Sequence, residues 1–392
     1  MRPRYARSHS SETHDRGKLM NASPQILALA DDLTGALEVG ARLSGLGSVV
    51  TTSSDSLPDL ATKAVIIDTE TRHLEPSQAH ARVHYIAQAA QRLQIELIYK
   101  KTDSTLRGNI GPELHALARA FPERPIAFVP GFPQLGRTVR QGVLHVNDEP
   151  VHKTAFSQDA LNPILTSFVP DLFTKYELPV TLHELAASHL EKGTVHIFDV
   201  ETEAEVASVA QLLLNMSPLP IFCGPANLAS HLTTSAESQS VQTLALPVVH
   251  NCLVVNGSRH ELSAQQIAYA QTHEWETRSA EELLDCPPVS DWTILETEPP
   301  PDYTAQESAA RTGRIVRDLA QKTRLDCLIV FGGDTAYGIV QALGESTLIP
   351  ICELLPGVPL SRMGDLQLVT KAGGFGPVDL LLKIRELLSG GR

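Results

Sequence analysis

The amino-acid sequence predicts an α/β protein made of two doubly wound, mostly parallel-sheet domains that face a cleft. Three observations carry this expectation. Apolar runs of strand length alternate with stretches of helical periodicity from Ser23 onward. Those runs end in polar or glycine-bearing residues, the composition of loops at the carboxyl ends of parallel strands. The chain has 392 residues, more than one ordinary core fills, so two units are expected.

In chain order, residues 1–22 place Arg2, Arg4, Arg7, Arg16 and Lys18 among serines and histidines. They lack the apolar stretch of a secretory signal and read as a disordered tail, with Met20 an alternative start to Met1. A first domain is expected over 23–245. Ile26 to Ala30 reads as a buried strand, followed by Asp31-Asp32-Leu33-Thr34-Gly35 and a helix to about Leu43. Strands are expected over 48–52 and 64–67, the second ending in Asp68-Thr69-Glu70-Thr71-Arg72, and a helix over 76–93. Ile95 to Tyr99 then leads into Lys100-Lys101-Thr102-Asp103-Ser104-Thr105-Leu106-Arg107-Gly108-Asn109. The helix after it is marked by Leu114, Leu117, Ala118 and Phe121, with Asn109 as its expected N-cap. After a strand at 126–129, residues 131–175 read as an excursion with a hairpin near Arg137 and His145, and strands at 194–199 and 220–224 flank a helix.

A second domain is expected over 246–392. Cys252 to Asn256 reads as a strand ending in Gly257-Ser258-Arg259-His260, and a further strand is expected at 292–295 with a helix over 305–322. Cys327 to Phe331 runs into Gly332-Gly333-Asp334-Thr335, and Leu366 to Val369 into Lys371-Ala372-Gly373-Gly374-Phe375-Gly376 before an amphipathic helix over 377–388.

A net charge of -13 argues against nucleic acid or an anionic membrane surface as partner, since both need a cationic face. No apolar run reaches the roughly 18 residues that span a bilayer. Cys223, Cys252, Cys286, Cys327 and Cys352 are scattered without metal-cage spacing, which suits reduced thiols and a cytoplasmic protein. His183-Glu184-Leu185-Ala186-Ala187 fails as a zinc-protease helix because Ala187 stands where the second His is needed.

Because parallel strands point one way, Asp31, Asp32, Arg72, Lys101, Asp103 and Arg107 are expected along one sheet edge, a set suited to a small polar anion. Each alone also suits a helix cap, an even alternative for Asp31 or Asp68. Gly332-Gly333-Asp334-Thr335 has the parts of a phosphate cradle at a helix N-terminus. Neither the Walker A pattern nor G-x-G-x-x-G occurs. Cations and acids in one half and glycine loops in the other suit phosphoryl transfer, which needs positioning and charge neutralisation.

Four ordered motifs, Ala30-Asp31-Asp32-Leu33-Thr34-Gly35-Ala36, Lys101 to Asn109, Gly332 to Thr335 and Lys371 to Gly376, resemble those of the four-carbon acid sugar kinase family. The resemblance extends from Ser23 onward. It implies an ATP-dependent kinase that phosphorylates a tetronate such as erythronate, threonate or a 3-oxo relative on a hydroxyl, the terminal one expected. It also implies an N-terminal sugar-acid domain and a C-terminal nucleotide domain, with Mg²⁺ bridging phosphates through unassigned ligands. Substrate contacts are expected at Asp31, Asp32, Arg72, Lys101, Thr102, Asp103, Ser104 and Thr105, with Asp31, Asp103 and Arg107 in catalytic roles. ATP contacts are expected at Ser258, Gly332, Gly333, Asp334, Thr335, Gly373 and Gly374. The chain departs from the pattern in its basic tail, its compact C-terminal half and Asp334 in place of Glu. The competing readings are a kinase of a glycerate-like acid, a dehydrogenase and a non-catalytic sugar-acid sensor; a homodimer is compatible with all of them.

Overall fold

A computed structural model describes residues 25–52, 62–159, 162–233, 245–285, 292–297 and 303–390. The expected tail over 1–22 lies outside the described residues.

The α/β architecture and its mostly parallel sheet are observed. In the N-terminal half the strands Ile26–Ala30, Ala64–Asp68 and Leu97–Lys101 lie side by side and parallel, with Ile26–Ala30 in the middle. Their residues are buried throughout because helices cover both faces, so the runs are apolar except at the ends that carry Asp68, Lys100 and Lys101. Chain order reverses around Ile26–Ala30, which makes the loops after these strands the topological switch point of this half. The C-terminal half repeats the arrangement with Cys252–Asn256, Cys327–Phe331 and Leu366–Lys371 adjacent and parallel.

The two halves also share backbone. An antiparallel hairpin, Thr347–Leu355 with Val358–Met363, extends the C-terminal sheet, and its outer strand pairs antiparallel with Val49–Thr51 of the N-terminal half. Among the described residues one 15-stranded sheet results. The sequence pattern gives no sign of this bridge because Pro350 interrupts the run, and a proline is tolerated in a strand chiefly at irregular positions. The register does shift between Pro350 and Cys352.

The excursion over 131–175 contains a small three-stranded sheet, Arg137–Arg140, Val143–Val146 and Glu149–Pro150. Arg137 is tied to Phe132 by backbone hydrogen bonds of 3.1 and 2.8 Å in the two directions. Buried Val139, Leu144 and Val146 carry this sheet onto the N-terminal core.

Candidate active site

At the first junction Asp31 and Asp32 split two tasks. Asp32 caps the helix Leu33–Arg42, accepting from the Gly35 N–H at 3.0 Å, while its other oxygen takes the Arg72 Nη1 at 2.7 Å. Asp31 receives Arg72 Nε at 2.7 Å and Nη2 at 3.0 Å, a bidentate pair. The cap and the ion pair therefore coexist. Burial works against the Asp31 charge, but Arg72, Lys100 and Lys101 hold its pKa below the ordinary carboxylate value.

The third junction organises itself through Asp103. Its Oδ2 accepts the Thr105 N–H at 3.0 Å and Arg107 Nε at 3.0 Å, and its Oδ1 accepts Arg107 Nη2 at 2.8 Å. The remaining guanidinium nitrogen of Arg107 reaches Asp159 at 3.1 Å. Against desolvation, Arg107 and Arg72 keep Asp103 well below the usual carboxylate range. Asn109 departs from the expected cap: its side-chain N–H groups donate to the carbonyls of Thr71 and Leu74, each at 2.8 Å, and it makes no cap bond. It stands at the expected N-cap position of the helix Ile110–Ala120, where its side chain joins two loops.

Lys100 and Lys101, adjacent in one strand, point to opposite faces of the sheet. Lys100 is fully buried against Glu113 at 3.0 Å. Lys101, also buried, has no ion-pair partner among the described residues. It lines a small cavity with Asp32, Arg72, Asp103, Ser104 and Arg107. Thr102 and Thr105 are buried beside this cavity without lining it; the Thr105 hydroxyl is spent on Asp103.

The glycine junctions meet this edge from the other half. Gly332 has φ +101°, a conformation that a side chain makes costly. A Cβ on Gly333 would lie 3.0 Å from Asp32 Oδ2 and 3.3 Å from Thr34 Oγ1. Gly373 and Gly374 pack instead on their own half: a Cβ would stand 2.3 Å from Ser258 Oγ in the first case and 3.0 Å from His260 Nε2 in the second. Lys371 serves this loop from beneath, donating to the carbonyls of Gly373 at 2.8 Å and Phe375 at 3.2 Å, and its burial brings its pKa down to about 7. His73 and Asp334 pair across the halves at 3.2 Å. Ser258, Asp334 and Thr335 line a cavity of about 470 Å³ whose walls include Ile267, Ile294 and Leu295 and whose polar groups include Arg259 and Arg311.

The cavity between the halves measures only about 20 Å³, room for little more than a water. Its entry by any organic ligand requires the halves to separate.

A model of a sugar-binding N-terminal domain matches residues 26–232, and one of a nucleotide-binding C-terminal domain matches residues 291–381. A D-threonate kinase of Bordetella bronchiseptica is 30% identical, with 93% of this chain and 98% of that protein covered. The chain belongs to the four-carbon acid sugar kinase family. A 3-oxo-tetronate kinase of Pseudomonas fluorescens is 26% identical over 95% of this chain and 99% of its own. Among solved structures, a protein of Salmonella typhimurium LT2 superposes with a TM-score of 0.75 at 22% identity, covering 93% of this chain and 99% of that one, and so shares the fold.

In this member of the tetronate kinase family, three features of the cavity escape the sequence reading. Glu38 lines it, is buried and has no hydrogen-bond partner among the described residues; burial raises its pKa to about 7, with Lys101 pulling the other way. Its signal is visible afterwards: it is the lone acid in an otherwise apolar stretch of the helix Leu33–Arg42. Thr34 lines the cavity with a buried hydroxyl that lacks a partner among the described residues. Phe132 and Phe375 close it, one from each half, and nothing in an isolated phenylalanine marks such a role.

Proposed function

We propose that this kinase transfers the γ-phosphoryl group of ATP to the terminal hydroxyl of a four-carbon sugar acid, with D-threonate the first candidate. The observation that carries this is the meeting of side-chain-rich and glycine-rich strand ends at one point, with Asp32 against Gly333 and His73 against Asp334. The acid belongs to the first half, 23–245, and ATP to the second, 246–392. The names of the related kinases support both substrate classes.

In this reading Lys101 takes the substrate carboxylate, because it is the cavity-lining cation with no ion-pair partner among the described residues. Asp31, Arg72, Asp103 and Arg107 form the neutralised frame that fixes the cavity, while Ser104 and Thr34 offer hydroxyls to the sugar. Glu38 orients the attacking hydroxyl and receives its proton, a task for which Asp31 and Asp103, locked to arginines, are poorly poised. The adenosine lies in the 470 Å³ cavity, with Ser258, Gly332 to Thr335 and the Gly373-Gly374 loop around the phosphates.

Magnesium, when bound with ATP, neutralises phosphate charge. Asp68 and Glu70 fit it: Asp68 is 1% exposed with Oδ2 unpartnered among the described residues, and burial together with the negative charge of both carboxyls raises the pKa of Tyr337 in the helix Gly333–Leu343. Burial and neighbouring acids push Asp68 up to about 8 and Glu70 to about 10, so a nearby cation is favoured there. No cluster of three or more ligating side chains among the described residues is placed to cage a metal, and magnesium, which keeps several waters, needs only one or two carboxylates.

Reduced buried thiols at Cys223, Cys252 and Cys327 support a cytoplasmic setting. An apolar patch at Phe168 and Leu182, the latter on the outermost strand Val180–His183, supports a homodimer that sedimentation can test. The function is tested by ATP consumption against threonate, erythronate, 3-oxo-tetronates and glycerate, with the product's phosphorylated carbon located by NMR. Turnover with a four-carbon acid and a terminal phosphate is expected; turnover with glycerate alone overturns the substrate class.

A further inference from the structure

We propose that Arg137 is a catalytic residue of this transfer, its guanidinium contacting the oxygens of the phosphoryl group as it passes between the halves. The inference rests on the kinase reading above and deepens it.

Charge accounting around the cavity singles this residue out. Arg72 is neutralised by Asp31 and Asp32, Arg107 by Asp103 and Asp159, and Lys100 by Glu113. Three buried cations near the cavity have no carboxylate at ion-pair distance among the described residues, Lys101, Arg137 and Lys371, and Lys371 is occupied by the Ser263 hydroxyl and the carbonyls of Gly373 and Phe375. Lys101 stands at the strand end where the substrate's carboxylate is expected. Arg137 is 6% exposed, its Nε is buried without a partner, and its Nη1 donates only to the Leu135 carbonyl. Burying an arginine without a counter-charge is costly, and the cost is recovered when an anion arrives.

Its position matches the path of the group. The guanidinium carbon lies 5.7 Å from the ring centre of Phe156, in the first half, and 5.6 Å from that of Phe375, in the glycine loop of the second. Phe375 also lines the small cavity. The backbone bonds to Phe132 hold the residue's base, so the planar fork is stacked and preorganised rather than free to wander. Strand alternation separates it from Arg140, which points outward to Asp148 and Glu201.

In the transfer the acceptor hydroxyl oxygen bonds to the γ-phosphorus while the bond from that phosphorus to the bridging oxygen breaks. The electron pair leaves on ADP, and the hydroxyl proton passes to Glu38. Negative charge spreads over the equatorial oxygens, where a bidentate donor acts more strongly than on ground-state ATP.

The test compares full-length wild type, Arg137→Ala and Arg137→Lys in steady-state turnover. It adds the affinity for ADP, with sugar acid present, before and after aluminium fluoride. Arg137→Ala is expected to lower kcat by on the order of 10³ with ADP affinity within about threefold. It should also lose the gain in ADP affinity that fluoride gives the wild type and recover part of kcat with added guanidinium ion. Arg137→Lys, which keeps the charge and disturbs packing less, is expected to fold and to lose at least about tenfold in kcat. A kcat within about threefold of wild type in either variant overturns the proposal. So does a loss carried equally by ADP affinity and melting temperature without guanidinium rescue, the signature of a residue that only stacks the halves together. A wild type inert toward every four-carbon acid overturns the kinase reading and this proposal with it; an active wild type with an active Arg137→Ala overturns the proposal alone.

Discussion

The two halves bring opposite kinds of surface to the edge where they meet. The N-terminal half presents side chains, most of them already neutralised in buried ion pairs, around a cavity of about 20 Å³. The C-terminal half presents backbone, at glycines where a Cβ is strained or crowded, beside a cavity of about 470 Å³. A rigid charged frame suits a small acid that must be recognised atom by atom, whereas exposed N–H groups at a helix start suit phosphates common to every nucleotide. The difference teaches that damage to one half should be electrostatic and global, and damage to the other steric and local.

Arg72→Met gives the largest expected effect. It leaves Asp31 and Asp32 without their buried counter-charge, so stability falls by about 3–5 kcal/mol and binding of the acid is lost. Urea unfolding and calorimetry read the two separately, and near-normal stability would show that the frame is not held by this pair.

Lys100→Met sharpens the same side of the comparison. Removing it strands Glu113, whose pKa burial already raises against the pull of Lys100, and about 3 kcal/mol should be lost. The double variant Lys100→Met/Glu113→Leu should recover most of that. Acid affinity of the folded protein should stay unchanged in both, and a large drop would place Lys100 in the site after all.

On the glycine side, Gly373→Ala puts a Cβ 2.3 Å from Ser258 Oγ. Overpacking on that scale costs about 1–3 kcal/mol, and the expected readout is a tenfold or larger rise in the Kd for ATP with acid affinity unchanged. Gly333 is a poorer probe, because its Cβ would press on Asp32 and Thr34 and so disturb both ligands.

The smallest effect belongs to the latch between the halves. Hydrogen bonding to Asp334 raises the His73 pKa above its ordinary value, and the same contact lowers Asp334 against its burial. A raised histidine pKa stabilises below the unfolded value of 6.5 and loses that contribution as pH climbs through the folded value; the depressed Asp334 contributes above 3.8 and loses it in acid. Closure should therefore be firmest between these limits, by no more than a few tenths of a kcal/mol for so exposed a pair. His73→Gln should flatten the fall in melting temperature between pH 6 and 8; an unchanged slope would exclude the latch.

Much of this was legible because parallel strands force their C-terminal loops together, so Asp31, Arg72 and Lys101 could be gathered from three separate segments. Less legible was which neighbour of a pair does what. Lys100 and Lys101 are identical as letters and separated only by the pleat; Arg137 and Arg140 differ in the same way. Glu38 sat a helical turn away from any loop, and the bridge through Thr347–Leu355 was hidden by Pro350. These are consequences of packing between segments far apart in sequence.

Calorimetry of the full-length protein with a four-carbon acid and with ADP, each titrated alone, tests the division of labour most directly. Lys101→Met is expected to abolish acid binding and leave ADP binding within about threefold, while Gly373→Ala does the reverse. ADP binding lost in Lys101→Met, with both affinities intact in Gly373→Ala, would contradict it.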